Sequence, residues 1–294
     1  MFCLIGTDAA DYGLVSKAVG PKSDGLVQID NAYVKNASRS FVHRSHSGVY
    51  GEVNSEEGYQ NLRRFLCGTR RATAELTGHR LPPATPGDAA GVWQAEVRVS
   101  IRGLPVLLSE QTAADYCPIE LGTVPGASGA PGGEPGDDVV TEAGAGSAAP
   151  GDVFLAAVHL LDPQRAAQMQ RDDTEAGPGP VSPRCRYTVQ VSVLHLEEKH
   201  GLFFWQNHLE TLPEWADALI VDVGPDPDEP REAVWAAWQT ENPQVTSVPD
   251  PITSTPLVPD DGGDPMCFTV PLPDAGRNLL GPSAAIRLCV KDLA

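Results

Sequence analysis

The stretch Ser23-Asp24-Gly25-Leu26-Val27, followed by Val42-His43-Arg44-Ser45-His46-Ser47-Gly48, decides how the first part of this chain is read. An acid sits in a glycine-marked turn, and a histidine stands just past a β-rich run. In open parallel sheets, reactive groups gather at the carboxyl ends of strands, where loops converge. Asp24 and His46 each follow a strand-like segment, and the acid precedes the base by twenty-two residues. A carboxylate beside an imidazole is a pairing used for proton transfer, because the acid fixes the tautomer of the base and stabilises its cation. The nucleophile that such a pair activates would sit on a Gly-x-Ser-x-Gly turn. No such turn occurs in the 294 residues.

Working outward, residues 2–5 form a continuous apolar run closed by Gly6-Thr7, which predicts a strand buried on both faces of a parallel sheet. Its place directly after Met1 gives the impression of a chain that starts within a fold. Residues 8–23 read as a loop or short helix, Leu26 to Ala32 as a helical turn, and Arg39 to Val42 as a second strand. More than thirty residues separate the two strands, enough for a parallel crossover. Asn54-Ser55-Glu56-Glu57 then predicts a helix start, with Asn54 as cap and Glu57 reaching back. Tyr59, Leu62, Phe65 and Leu66 fall on one side of that helix as a face for the sheet, and Gly68 ends it.

Together, the Asp24 turn, the spacing to His46 and the helix after His46 make residues 2–68 resemble the C-terminal portion of α/β-hydrolases of the lipase/esterase type. The resemblance covers under a quarter of the chain. It implies a serine ester hydrolase in which Asp24 orients the imidazole and His46 is the general base. The substrate it implies is an ester or a lipid-like small molecule, and no cofactor is implied. The family's nucleophile and oxyanion loop would lie upstream of Met1, so the chain alone is expected to be inert. Ser45 and Ser47 flank His46 but do not swing easily onto its Nε2. Asp8 is a rival acid, since it follows the first strand directly, and His43 reads as a surface or packing histidine. The plainer alternative keeps Asp24 as an Asp-Gly turn bonding its own backbone and His46 as a loop cap.

Residues 80–91, with Leu81-Pro82-Pro83 and Pro86-Gly87, read as a linker. Beyond it the period changes to two, with Val97, Val99 and Ile101 alternating with Glu96, Arg98 and Ser100. Further strands are predicted at Val153–Leu161, Tyr187–Leu196, Leu202–Trp205, Ala218–Val223, Met266–Val270 and Ala285–Val290. Many short strands with few helices suggest an antiparallel sandwich. Residues 123–151, 171–184 and 224–265 are rich in Gly, Pro, Ala and acids and read as disordered inserts, the last with an apolar island at Val234–Trp238. The expected architecture is an α/β fragment, the end of an α/β-hydrolase sheet, over 1–79, joined to an antiparallel β-sandwich over 92–294. The whole is thus a multi-domain α+β chain.

Charge divides the chain in the same place. Residues 1–80 hold ten Lys/Arg and eight Asp/Glu, whereas the remainder holds eleven and thirty-one, for a net charge of −18 overall. That balance argues against nucleic acid and against an anionic membrane surface as partners. No apolar segment approaches the ~20 residues that span a bilayer. No signal peptide is visible, which slightly favours a cytoplasmic location. The six cysteines lack C-x-x-C spacing, and Cys3, Cys267 and Cys289 read as buried thiols with a disulfide left open. The acids at Asp222, Asp226, Asp228 and Glu229 and at Asp260, Asp261 and Asp264 suit solvated loops better than a calcium site. His195, Glu197, Glu198 and His200 lack zinc-protease spacing. The five tryptophans suit a sandwich core better than a sugar-binding face. A non-catalytic docking role, with a protein partner on the sandwich, is the second functional expectation.

Overall fold

A computed structural model describes residues 1–9, 12, 19–20, 22–34, 37–83, 91–124, 151–162, 184–197, 212–226, 228, 232–243, 255–260, 263 and 265–293. The first strand, β1 (Phe2–Gly6), pairs in parallel with β2 (Ser38–Val42), Phe2 opposite Ser38 and Gly6 opposite Val42. A 3-10 turn at Ile29–Asn31 lies in the crossover between them. Ile5, Ile29 and Phe41 are buried together with Cys117, which comes from far along the chain. The small core of the parallel pair is therefore closed by a residue of the β-rich region.

Helix α1 (Glu56–Cys67) comes after His46, as expected, but its cap and its faces differ from the sequence reading. Ser55, not Asn54, accepts the Gly58 amide at the N-terminus. Asn54 belongs to a preceding 3-10 turn, Glu52–Asn54, and donates to the Gly48 carbonyl. The buried residues of α1 are Gly58, Gln60, Asn61 and Arg64, while Tyr59, Leu62 and Leu66 are exposed. Only Phe65 of the expected apolar face turns inward, stacking on Phe2 at 5.3 Å between ring centroids. The helix seats on loops and a strand edge, whose carbonyls need donors, and this selects its polar side. Asn61 Nδ2 donates to the Leu108 carbonyl at 2.8 Å, and Arg44 holds Glu57 through two hydrogen bonds of 2.9 and 3.1 Å.

The remaining strands, in chain order, are β3 (Arg70–Thr77), β4 (Gly91–Ile101), β5 (Leu107–Gln111), β6 (Ile119–Val124), β7 (Val153–Leu160), β8 (Cys185–Glu197), β9 (Trp215–Pro225), β10 (Glu232–Trp238), β11 (Met266–Pro271) and β12 (Ala285–Asp292). A short helix, α2 (Asp274–Leu280), lies between the last two. The strands make two antiparallel sheets. One runs β10-β9-β8-β4-β5, with β6 pairing the other half of the β4 edge, and the other runs β11-β12-β3-β7. Their inner faces share one core, in which Ala72, Ala74 and Leu76 of β3 meet Val97 and Val99 of β4 and Val189 and Val191 of β8. Mostly β-sheet and antiparallel, the chain thus has the sandwich half of the expected architecture.

The structure departs from the sequence expectation at several points. Arg70–Thr77, expected in the first unit, pairs with both β7 and β12, so the sandwich begins before the Pro-rich linker. Its inward residues, Ala72, Ala74 and Leu76, are mostly small, which weakens a period-two signal so close to a helix. Within 224–265, expected as a disordered insert, Glu232–Trp238 is an edge strand with Val234, Trp235 and Trp238 fully buried. A seven-residue strand is diluted there by the Pro and Asp around it. Cys267 and Cys289 are not free thiols but a disulfide between directly opposed positions of β11 and β12. Trp93, Trp215 and Trp238 lie in the shared core, and Trp235 lies in a smaller cluster with Ile220 and Ala233. Residues 125–150, 171–183 and 84–90, and the expected strand Leu202–Trp205, fall outside the described residues. Among the described residues, no helix is long and apolar enough to cross a membrane.

Candidate active site

At the carboxyl end of the parallel pair, the turn carrying Asp24 meets the loop carrying His46. The Asp24 carbonyl accepts the His46 amide at 2.9 Å, and Asp24 Oδ2 accepts His46 Nδ1–H at 2.8 Å. A carboxylate only accepts, so Nδ1 is the protonated ring nitrogen. Asp24 Oδ1 is held by the Leu26 and Val27 amides at 3.0 and 2.7 Å. The local Asx turn and the acid–base pair are thus both present, one on each carboxylate oxygen. The Asp24 side chain is 5% exposed and that of His46 is 42% exposed. A buried acid therefore aligns a half-exposed imidazole through its Nδ1.

Two glycines admit this approach. A Cβ on Gly6 would lie 2.5 Å from the Arg44 carbonyl oxygen and 3.0 Å from Asp24 Cβ. Gly25 has φ +99°, and a Cβ there would enter the ring of Tyr12 at 2.1 Å. Tyr12 lies over the turn, and its hydroxyl shares a hydrogen bond with Ser47 Oγ. Ser45 is fully buried, its amide on the Tyr50 carbonyl and its carbonyl on the Glu52 amide. The rival acid Asp8 donates its amide to the Arg44 carbonyl and acts electrostatically on Arg44. His43 turns the other way, its Nδ1 2.9 Å from Asp115 in the turn after β5.

Glu52 is the residue that sequence reasoning missed. It begins the 3-10 turn after His46, and nothing in Gly51-Glu52-Val53-Asn54 marks it. Its Oε2 is buried with no hydrogen-bond partner. Burial, and then the negative charge of Asp24, push its carboxyl up to about 7, against opposing effects from His46 and the Gly6 amide. A carboxyl placed between two protonation states near neutrality is a feature of reactive sites.

The other candidates have structural work. Asp222 is buried against Arg186, with hydrogen bonds of 2.7 and 2.8 Å. Asp226 caps its own turn at Asp228, and Asp260 holds Thr269. His195 stacks on Trp93 at 4.5 Å between centroids. Glu198, His200, Glu229, Asp261 and Asp264 lie outside the described residues, as does the side chain of Glu197. Among the described residues, no group of three or more His, Cys, Asp and Glu is disposed to hold a metal. Against models of protein families, curated proteins and solved structures, nothing matches this chain.

Proposed function

We propose that Asp24 and His46 are the acid and base of a serine hydrolase of the lipase/esterase type, acting on carboxylic esters. The nucleophilic serine would come from polypeptide outside these 294 residues. The observation that carries this reading is the doubly anchored, buried Asp24 facing Nδ1 of a half-exposed imidazole at the carboxyl end of two parallel strands. His46 Nε2 would take the proton of the attacking hydroxyl and return it to the leaving alkoxide, and a water would then release the acyl group by the same route. Asp24 holds the tautomer and stabilises the imidazolium through each proton transfer.

The test is labelling by a fluorophosphonate probe, run on the 294-residue chain and on the full reading frame that contains it. The expected result is an inert chain and a labelled frame, with His46→Ala slowing labelling by at least about 10³-fold. A frame that never labels sinks the hydrolase reading and favours the docking role of the sandwich.

A further inference from the structure

We propose that Glu52 is a third member of the Asp24–His46 centre, a buried carboxyl with an unpartnered oxygen on the segment bonded to the residue before His46. This deepens the reading of the pair as acid and base and rests on it. Gly6 is the shared neighbour, since its amide donates to the Glu52 carboxyl while a Cβ on it would lie 3.0 Å from Asp24 Cβ. The backbone fixes Glu52 from the other side, because its amide donates to the carbonyl of Ser45, the residue before His46, at 2.8 Å. Its own carbonyl is packed against Gly58 of α1, where a Cβ would lie 2.0 Å away. The residue is therefore held at three points, with Oε2 left buried and unpaired.

Asp24, in the turn after β1, and His46, in the loop after β2, both act electrostatically on Glu52. Arg44, on the loop after β2, and Glu57, on α1, neutralise each other in a bidentate pair, and Asp8 acts on Arg44. Protonated, Glu52 leaves Asp24 as the single anion beside the imidazole. Ionised, it releases its proton to solvent and adds a second negative charge that favours the imidazolium. Coupling between interacting sites is reciprocal, so the interaction is readable from either side.

Carboxyl carbon NMR on the 294-residue chain with labelled glutamate tests this without a nucleophile. Glu52 is expected to titrate at about 7 in the native chain. Asp24→Asn should lower that midpoint, and His46→Gln should raise it, each by roughly half to one pH unit. One midpoint common to all three proteins, or a native Glu52 that titrates like an exposed carboxyl, overturns the proposal. As an independent arm, Glu52→Gln should remove an inflection from the His46 ring signals while the sandwich amide spectrum stays native. An unaltered His46 curve overturns it as well. Coupling without fluorophosphonate labelling would retain the three-residue centre and refute only the ester chemistry. Labelling without coupling would do the reverse.

Discussion

The two glycines beside Asp24 are as necessary to the site as the acid itself. Gly6 ends β1 where the backbone of the His46 loop crosses it, and the atom a Cβ would strike is a main-chain oxygen at 2.5 Å. No side-chain rotation relieves such a contact, so the loop must move. Gly6→Ala is expected to cost about 2–3 kcal/mol, the scale of overpacking in a tight site. It should also separate Asp24 from His46. Urea denaturation reads the first effect, and loss of the downfield Nδ1–H signal of His46 reads the second. An alanine variant of native stability that keeps that signal would show that the turn has slack. Gly25 is required differently, by its positive φ and by the Tyr12 ring above it.

At the level of elements, α1 decides how the site is carried. Its first turn is tied to the His46 loop through Arg44–Glu57, its middle to β5 through Asn61, and its end to β1 and β7 through Phe65. Asn61 spends its amide on two carbonyls, Glu57 and Leu108. Asn61→Ala should therefore cost about 1–2 kcal/mol, the scale of losing a buried hydrogen-bonding group. Leu62, one residue on, is 53% exposed. Leu62→Lys should change stability by no more than about 0.5 kcal/mol. Urea midpoints for the two variants check the orientation of the helix, and a larger loss for Leu62→Lys would mean its apolar face is the packed one.

Across the whole molecule, the parallel pair and the sandwich are joined by polar and aromatic contacts rather than by the main core. The Phe41 amide donates to Ser109 Oγ, and Cys117 completes the small core of the parallel pair. His159 of β7 stands edge-on to both Phe2 and Phe65, with centroids at 5.8 and 5.4 Å. Burial holds the His159 imidazole down at about 4, aided by Arg71 and the N-terminal amine. Below the ordinary value of 6.5 the unfolded chain takes up a proton that the folded chain refuses. Stability contributed by neutral His159 is thus complete above that value and is lost as the pH falls toward 4, by up to about 3 kcal/mol. His159→Phe keeps an aromatic ring beside Phe2 and Phe65 and cannot titrate. Denaturation of the two proteins at several pH values should show native stability falling relative to the variant between 6.5 and 4. Parallel curves would place the acid sensitivity elsewhere.

The local pattern of residues was enough to locate the sandwich strands with clear alternation and the helix after His46, whereas Asp24 and His46 were singled out through the resemblance and are brought into hydrogen bond by the fold. The strands are written in a short window as a period of two, and the end of the helix as Gly68. Glu52, the inward polar face of α1 and the Cys267–Cys289 bond were decided only by the tertiary structure. Glu52 matters because the Gly6 amide and Asp24 arrive beside it from residues more than twenty-five positions away. The helix chose its polar side because its neighbours offered carbonyls, and periodicity reports a stripe without reporting what covers it. The two cysteines became partners because β11 and β12 bring them face to face across 22 residues of chain. Short-range propensity resides in the residues themselves, whereas desolvation and proximity belong to the assembled surroundings.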